Sequence, residues 1–368
     1  MPEEINIAII GAGAVGLSIA NELSKTHEGV YVFEKAPFVG DGQSTRNSGV
    51  IHSGIYYPKG TLKSMLCMEG NRLLYDFCNK YDIKHRKTGK LLAAINEKEE
   101  KKLEELLELA KNKDMQEVAM LSSEQVRALE PNVHSTKALY LGTTGIVDAG
   151  EYVNKLAQLA RLNGAEILTR TEVLDITAKN GSFTLKTNSR GEIDARFLIN
   201  AAGLYSDVIA GKINPEQQYQ VTPIRGEYYS FRANGGRLET RMNVYPTPRP
   251  DTLGIHLTPT FDGNKIIVGP TAIPLTDKEN YTKDRKDVKY FHSEVKDFFP
   301  NLREEDLSED YAGIRAKLKG IYDFVIKTDE KYPNCLQLVG IDSPGLTSSQ
   351  AIGKRVRINN GQIFFDKN

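Results

Sequence analysis

The stretch that decides the fold reads Ile5-Asn6-Ile7-Ala8-Ile9-Ile10, then Gly11-Ala12-Gly13-Ala14-Val15-Gly16, then an apolar-periodic run to Leu23, then Val30-Tyr31-Val32-Phe33-Glu34. The first run is short and mostly apolar, as expected of a strand buried on both faces. The G-x-G-x-x-G turn comes next, residues 15–23 have helical spacing, and residues 30–33 form a second β-branched and aromatic strand. This is a βαβ unit. Gly11 permits the tight turn, Gly13 lets the backbone approach a pyrophosphate, and Gly16 allows helix and strand to pack closely. The helix N-terminus, with Ala14 and Val15, then meets the phosphate charge. Glu34 ends the second strand, where an acid binds a ribose hydroxyl pair, and Lys35 is its neighbour. An acid there argues against a 2′-phosphate and so against NADP. A glycine turn without a ligand is the ordinary alternative for the motif taken alone.

The rest of the composition is consistent with a globular protein. The chain has 368 residues, enough for two or three domains, with 40% apolar and 26% charged residues. Lys and Arg total 48, as do Asp and Glu, so there is no global basic field and general nucleic-acid binding is disfavoured. Three cysteines (Cys67, Cys78, Cys335) make neither a disulfide framework nor a zinc spacing, and no metal site is expected. A reducing compartment fits best. The N-terminal apolar run comes after Glu3 and Glu4 rather than a basic region and carries ordered glycines, so it reads as structure rather than a targeting signal. No run reaches the ~18 apolar residues of a membrane span. The reading is a cytoplasmic protein, with peripheral contact at the inner face of the membrane left open.

Further along, helices are expected over 62–81, 97–111, 152–162, 288–299 and 348–356. Short strands are expected at 166–169, 172–176, 183–187, 197–200 and 336–339, and a strand-rich region over 221–268, with a turn at 246–250. The fingerprint alone does not choose NAD or FAD. The residues after Glu34 do: instead of another helix and strand, the chain enters a long loop rich in Gly, Ser, Asn and Tyr over residues 37–58. Such a polar loop suits a flavin, which offers a pyrophosphate, a ribityl chain and a polar ring edge. With a single G-x-G-x-x-G, the expected electron outlet is oxygen, a quinone or a carrier protein.

Within that loop, Ser44-Thr45-Arg46-Asn47-Ser48-Gly49-Val50-Ile51-His52-Ser53-Gly54-Ile55-Tyr56-Tyr57 resembles the flavin-contacting loop of the L-2-hydroxyglutarate oxidase/dehydrogenase group, within the D-amino-acid oxidase superfamily. The likeness continues through Leu62-Lys63-Ser64, Thr88-Gly89-Lys90-Leu91, Asn200-Ala201-Ala202-Gly203, Pro223-Ile224-Arg225-Gly226, Val244-Tyr245-Pro246, Ala312-Gly313-Ile314-Arg315 and Ser343-Pro344-Gly345-Leu346-Thr347-Ser348. The resemblance implies an α/β protein with a Rossmann-like FAD-binding domain and a mainly antiparallel-sheet (α+β) substrate domain, of the D-amino-acid oxidase/glutathione reductase-like type. The expected division is 1–85, 145–215 and 310–368 for FAD, and 86–144 and 216–309 for substrate. Two departures stand out: Lys317 where Gln is expected, and Pro-Gly-Leu-Thr where Pro-Ala-Ala-Thr is expected in the animal enzymes.

The implied reaction is oxidation of L-2-hydroxyglutarate, or a related anionic 2-hydroxy acid, by hydride transfer to flavin N5, with electrons passed to oxygen or a membrane quinone. A glycerol-3-phosphate dehydrogenase-like or amino-acid/amine oxidase of the same superfamily is the alternative. The cofactor contacts implied are Gly11, Gly13, Ala14, Val15, Gly16, Glu34, Lys35, Ser44, Thr45, Arg46, Asn47, Ser48, Val50, Val173, Ala201, Ala202, Gly203, Arg315, Gly345, Leu346, Thr347 and Ser348. A carboxylate is best clamped by the planar fork of Arg, which points to Arg315 and Arg225, with Lys63 completing a pocket for a second carboxylate. The hydroxyl proton needs a base, and among six histidines His52, in the flavin loop, and His256, expected on a strand alternating over 253–258, are the candidates. His27, His85, His134 and His292 read as surface residues. A covalent flavin link at His52 stays open. Tyr56, Tyr57 and Tyr228 are candidate pocket-wall hydroxyls.

Overall fold

The computed structural model describes residues 3–179, 181–233, 238–249 and 253–367. Strand Glu3–Ile10 lies inside an eight-stranded sheet, parallel to Val30–Phe33 on one side and to Gly191–Asn200 on the other. Glu166–Leu168 and Cys335–Val339 extend the parallel set, and the antiparallel hairpin Val173–Lys179/Ser182–Thr187 joins one end. Ile7 and Ile9 are fully buried toward the helices, while Ala8 and Ile10 pack with the hairpin side. A strand covered on both faces is why this run carries almost no polar residues. Helices Ala14–Leu23, Ala149–Leu162, Leu62–Tyr81 and Gly345–Arg355 pack together on the first of these faces.

The long helix Leu62–Tyr81 shows how local chemistry sets its ends. Thr61 accepts a hydrogen bond from Ser64 N at 3.1 Å, and Asp82 closes it in the left-handed region with φ 54°. Its stripe of Leu66, Leu73, Leu74 and Phe77 is buried. Gly70 lies where any Cβ would strike the backbone carbonyl of Thr347, so the glycine is what lets this helix touch Gly345–Arg355.

A second, nine-stranded sheet runs in the order Ile273–Pro274, Val221–Arg232, Lys265–Gly269, His256–Pro259, Asn243–Pro246, Lys90–Ala94, Lys137–Leu141 and Val118–Ser122, with Ser308–Leu318 also paired to Val221–Arg232. It is antiparallel except where Asn243–Pro246 runs parallel to Lys90–Ala94. A three-stranded sheet of Val50–Ile51, Gly145–Val147 and His85–Arg86 stands apart from both.

Several expected bounds shift. Ser308–Leu318 belongs by pairing to the second sheet, so the boundary expected at residue 310 falls inside one of its strands. The helix expected at 348 begins at Gly345, the one at 152 begins at Ala149 after an Asp148 cap, and the one over 288–299 ends at Val295. The strand around His256 starts only at His256, because Gly254 turns the chain with φ 75°. Part of the turn expected at 246–250 lies outside the described residues. Among the described residues, no helix is long and apolar enough to cross a membrane.

Candidate active site

A cavity of about 960 Å³ lies between the two large sheets. One end is built by the glycine turn. Gly11 has φ 106°, and a Cβ there would lie 2.5 Å from the Ala201 carbonyl oxygen, so the two cofactor-type turns touch through bare backbone. Gly16 does not face the cavity; any Cβ on it would overlap the Gly11 carbonyl, which makes it a packing glycine. Gly11, Gly13, Ala14, Val15, Glu34, Lys35, Ala201, Ala202 and Gly203 line this end. The Glu34 carboxylate accepts from Ala12 N at 2.9 Å and Ala36 N at 2.8 Å. Burial raises its pKa while those two N–H groups oppose the shift.

The flavin-type loop forms one wall. Ser44 Oγ accepts from Ala14 N at 2.9 Å, and Thr45 donates to Gly40 O, away from the cavity. Asn47 ties the loop on itself through Gln43 O, Ser44 O and Gly49 N. Ser48 donates to Tyr228 Oη at 3.3 Å, and Tyr311, stacked on Tyr228 with centroids 4.4 Å apart, donates to Asn47 O. Arg46 pairs with Asp41 at 3.2 Å. Val50, Gly345 and Leu346 line the cavity. Thr347 and Ser348 do not: Thr347 Oγ1 accepts from His52 N and donates to Val50 O, stapling the loop to the helix, and Ser348 is buried in that helix. The cavity does not reach Val173, which packs in the core of the first sheet.

Among the described residues, three α-helices begin without a capping side chain on their N-cap residue: Ala14–Leu23, Ser206–Ile213 and Gly345–Arg355. The other α-helices are all capped by Thr, Asn, Ser or Asp. All three uncapped N-caps, Gly13, Tyr205 and Pro344, line the cavity. The first turns of Ala14–Leu23 and Gly345–Arg355 enter the lining through Ala14, Val15, Gly345 and Leu346, so the positive ends of two helix dipoles face one space, favourable for a pyrophosphate and a negatively charged ring edge, whereas Ser206 N is bonded to Gly203 O. Tyr56 Oη adds a buried hydroxyl with no hydrogen-bond partner among the described residues.

The other end holds the candidates His52, His256, Arg315, Tyr56, Tyr57, Tyr228 and Lys63, together with Tyr245, Lys317, Asp342 and Ser343. His52 Nε2 lies 3.4 Å from Ser343 Oγ. Burial, then the charges of Lys90 and Arg315, lower the His52 pKa to about 3. His256 is lowered well below its ordinary value by burial, then by Arg315, Lys90 and His52. Both imidazoles are thus neutral at pH 7, the state a proton acceptor needs. Burial raises the pKa values of Tyr56, Tyr57 and Tyr228, so all three keep their protons.

Arg225 is not a substrate clamp. It is 1% exposed, pairs with Glu227 at 2.7 Å and donates to the carbonyls of Asn280, Lys283 and Asp284, so its fork is consumed in pinning the 280–284 segment. Lys63 does line the cavity, but its Nζ is held by Asp342 at 2.6 Å. Six cationic side chains line the cavity: Lys35, Arg46, Lys63, Arg249, Arg315 and Lys317. Four pair with carboxylates, namely Glu279, Asp41, Asp342 and Glu294. Arg315 and Lys317 form no ion pair among the described residues, and they stand two apart on the strand Ser308–Leu318. That spacing puts both on one face. Tyr245, stacked on His256 at 3.7 Å, is a site residue that sequence reasoning misses, because its Val-Tyr-Pro context holds no chemical signal.

A family model described as FAD dependent oxidoreductase matches residues 6–357. The chain belongs to the FAD-dependent oxidoreductases of the D-amino-acid oxidase type. This oxidoreductase is 32% identical to a glycerol 3-phosphate dehydrogenase of Caloramator mitchellensis, over 94% of the chain and 72% of that protein. It is 31% identical to the mitochondrial L-2-hydroxyglutarate dehydrogenase of Arabidopsis thaliana, over 96% and 83%. Among solved structures, the dithionite-reduced L-α-glycerophosphate oxidase of Mycoplasma pneumoniae with FAD bound superposes with a TM-score of 0.88 at 28% identity, covering 100% of this chain and 97% of that one. The glycine cradle, Glu34 and the N-terminal ends of Ala14–Leu23 and Gly345–Arg355 fit FAD, the cofactor of this oxidoreductase.

Proposed function

We propose that this FAD-dependent oxidoreductase oxidises L-2-hydroxyglutarate, or a closely related dianionic 2-hydroxy acid, to the 2-oxo acid, with oxygen or a quinone as final acceptor. The observation that carries the reading is the pair Arg315 and Lys317, cations without carboxylate partners on one face of one strand, beside two neutral histidines. A strand rises roughly 3.4 Å per residue, so positions two apart present charges roughly 7 Å apart. That suits a small substrate with an anion at each end. The bidentate fork of Arg315 holds the carboxylate next to the carbinol carbon, and Lys317, nearer the cavity mouth, meets the distal anion. His256 or His52 takes the hydroxyl proton, and Tyr56, Tyr57 and Tyr228 wall the site as hydrogen-bond donors. FAD supplies the two-electron acceptor.

The same architecture supports the domain division with one changed limit: an FAD part of 1–85, 145–215 and the residues after 318, and a substrate part of 86–144 and 216–318. A second reading, glycerol 3-phosphate as the dianion, is favoured by the likeness to the glycerophosphate oxidase over both full chains. Anaerobic mixing with L-2-hydroxyglutarate, its D enantiomer, glycerol 3-phosphate, glycine and L-proline decides. Bleaching of the flavin by L-2-hydroxyglutarate at the highest kcat/KM is expected. Faster bleaching by glycerol 3-phosphate or by an amino acid would overturn the substrate assignment.

A further inference from the structure

Two lysines are buried near the turn at residues 54–57. Lys113 is satisfied: its Nζ donates to Gly54 O at 2.5 Å and Tyr57 O at 2.9 Å, holding the turn that carries Tyr56 and Tyr57. Lys90 is 1% exposed and forms neither a hydrogen bond nor an ion pair among the described residues. Its Nζ sits 4.7 Å from the ring centroid of Tyr56 and 4.7 Å from that of Tyr245. Two aromatic faces attract a cation, but less than water or a carboxylate does. A buried charge without a partner is costly, and an apolar side chain of similar length would fill the same space more stably. Strand Lys90–Ala94 is held on both sides, by Asn243–Pro246 and Lys137–Leu141, so the backbone that carries Lys90 is fixed beside these rings.

The neighbours of the cation give it a use. Tyr245 stacks flat on His256, with centroids 3.7 Å apart and planes 10° from parallel. Lys90 Nζ is therefore within about 8 Å of the His256 ring, a range at which a charge in a protein interior is felt. His256 also faces Arg315 and His52, and His52 faces Lys90, Arg315 and the Ser343 hydroxyl. Lys90 itself faces Tyr56, Tyr245 and the buried Cys67 thiol.

We propose that Lys90 is a positioning residue for the oxidation: its ammonium, clamped between Tyr56 and Tyr245, adds to burial in keeping the His256 and His52 imidazoles free of protons, so that one of them can accept the substrate's hydroxyl proton. This rests on the reading of those histidines as the base. Burial lowers the Lys90 pKa to about 7, so the amine gains its charge over the range in which free histidine would begin to protonate.

The test uses FAD-loaded parent, Lys90→Met and Lys90→Gln, both uncharged and close in length. Histidine ring nitrogens are titrated by NMR in histidine-labelled protein, which requires no turnover, and flavin reduction by L-2-hydroxyglutarate is measured anaerobically across pH. In both variants the two cavity histidines are expected to titrate about one pH unit higher than in the parent. The acid limb of reduction should move up with them, FAD content should hold, and the thermal midpoint should rise. Unshifted histidine titrations in both variants, a shift in only one, or loss of FAD from both would each overturn the proposal. A parent without any acid limb would instead refute the histidine reading, and the NMR titration would still decide the role of Lys90.

Discussion

Gly313→Ala tests the architecture of the site at one atom. Gly313 lies two residues before Arg315, opposite Gly226 in the paired strands Ser308–Leu318 and Val221–Arg232. A Cβ added at Gly313 falls inside the Arg46 carbonyl oxygen, 3.1 Å from the Arg46 carbonyl carbon and 3.3 Å from Arg46 Cβ. The obstacle is backbone, so no rotamer change relieves it. Strand and flavin loop must part by roughly 1 Å, a strain of about 1–3 kcal/mol for overpacked sites. The displaced loop includes Ser44, Arg46, Asn47, Ser48 and Val50, all of which line the cavity. If half or more of that strain falls on the holo state, FAD affinity drops about 2- to 150-fold. The control is Gly211→Ala, in helix Ser206–Ile213 with nothing within 4 Å of the added carbon, which should stabilise by about 0.5–1 kcal/mol. The measurements are FAD binding to deflavinated protein by flavin fluorescence, and thermal unfolding. Parental Kd and thermal midpoint in Gly313→Ala would refute the claim that bare backbone contact seats the loop.

Arg315→Lys keeps a charge but loses the fork, so KM for L-2-hydroxyglutarate should rise at least tenfold at unchanged FAD content; steady-state kinetics with a dye acceptor check this. Acidification should destabilise the protein: His52 titrates near pH 3 in the fold and at about 6.5 unfolded, so between those values the unfolded chain binds the extra protons. The thermal midpoint should therefore fall as pH drops below 6.5, and the slope should shrink in a His52→Gln, His256→Gln variant.

The βαβ start was legible because one strand buried on both faces, a glycine turn and a terminal acid are all local requirements, written in consecutive residues from Ile5 to Glu34. The same holds for the turn in the flavin-type loop that Asn47 ties together, since its side-chain bonds are made within a few residues. His52, His256 and Arg315 were singled out because their residue types suit the chemistry and their surroundings offer no surface reason for them, and the structure places all three on one cavity. Arg225 and Arg315 were both candidate carboxylate clamps in sequence, the first next to a Gly226 turn and the second in the small-residue run Ala-Gly-Ile-Arg-Ala. Only the tertiary structure separates them, because Glu227 and the carbonyls near residue 280 reach Arg225 while no carboxylate reaches Arg315 among the described residues. Lys63, Lys90 and Lys317 are likewise one residue type in three electrostatic states: paired to Asp342, buried between two rings, and open at the cavity mouth. Backbone turns and strand faces arise from near neighbours in the chain. The charge state and availability of a side chain depend largely on partners tens to hundreds of residues away, and those are in place only once the sheets have closed around the cavity.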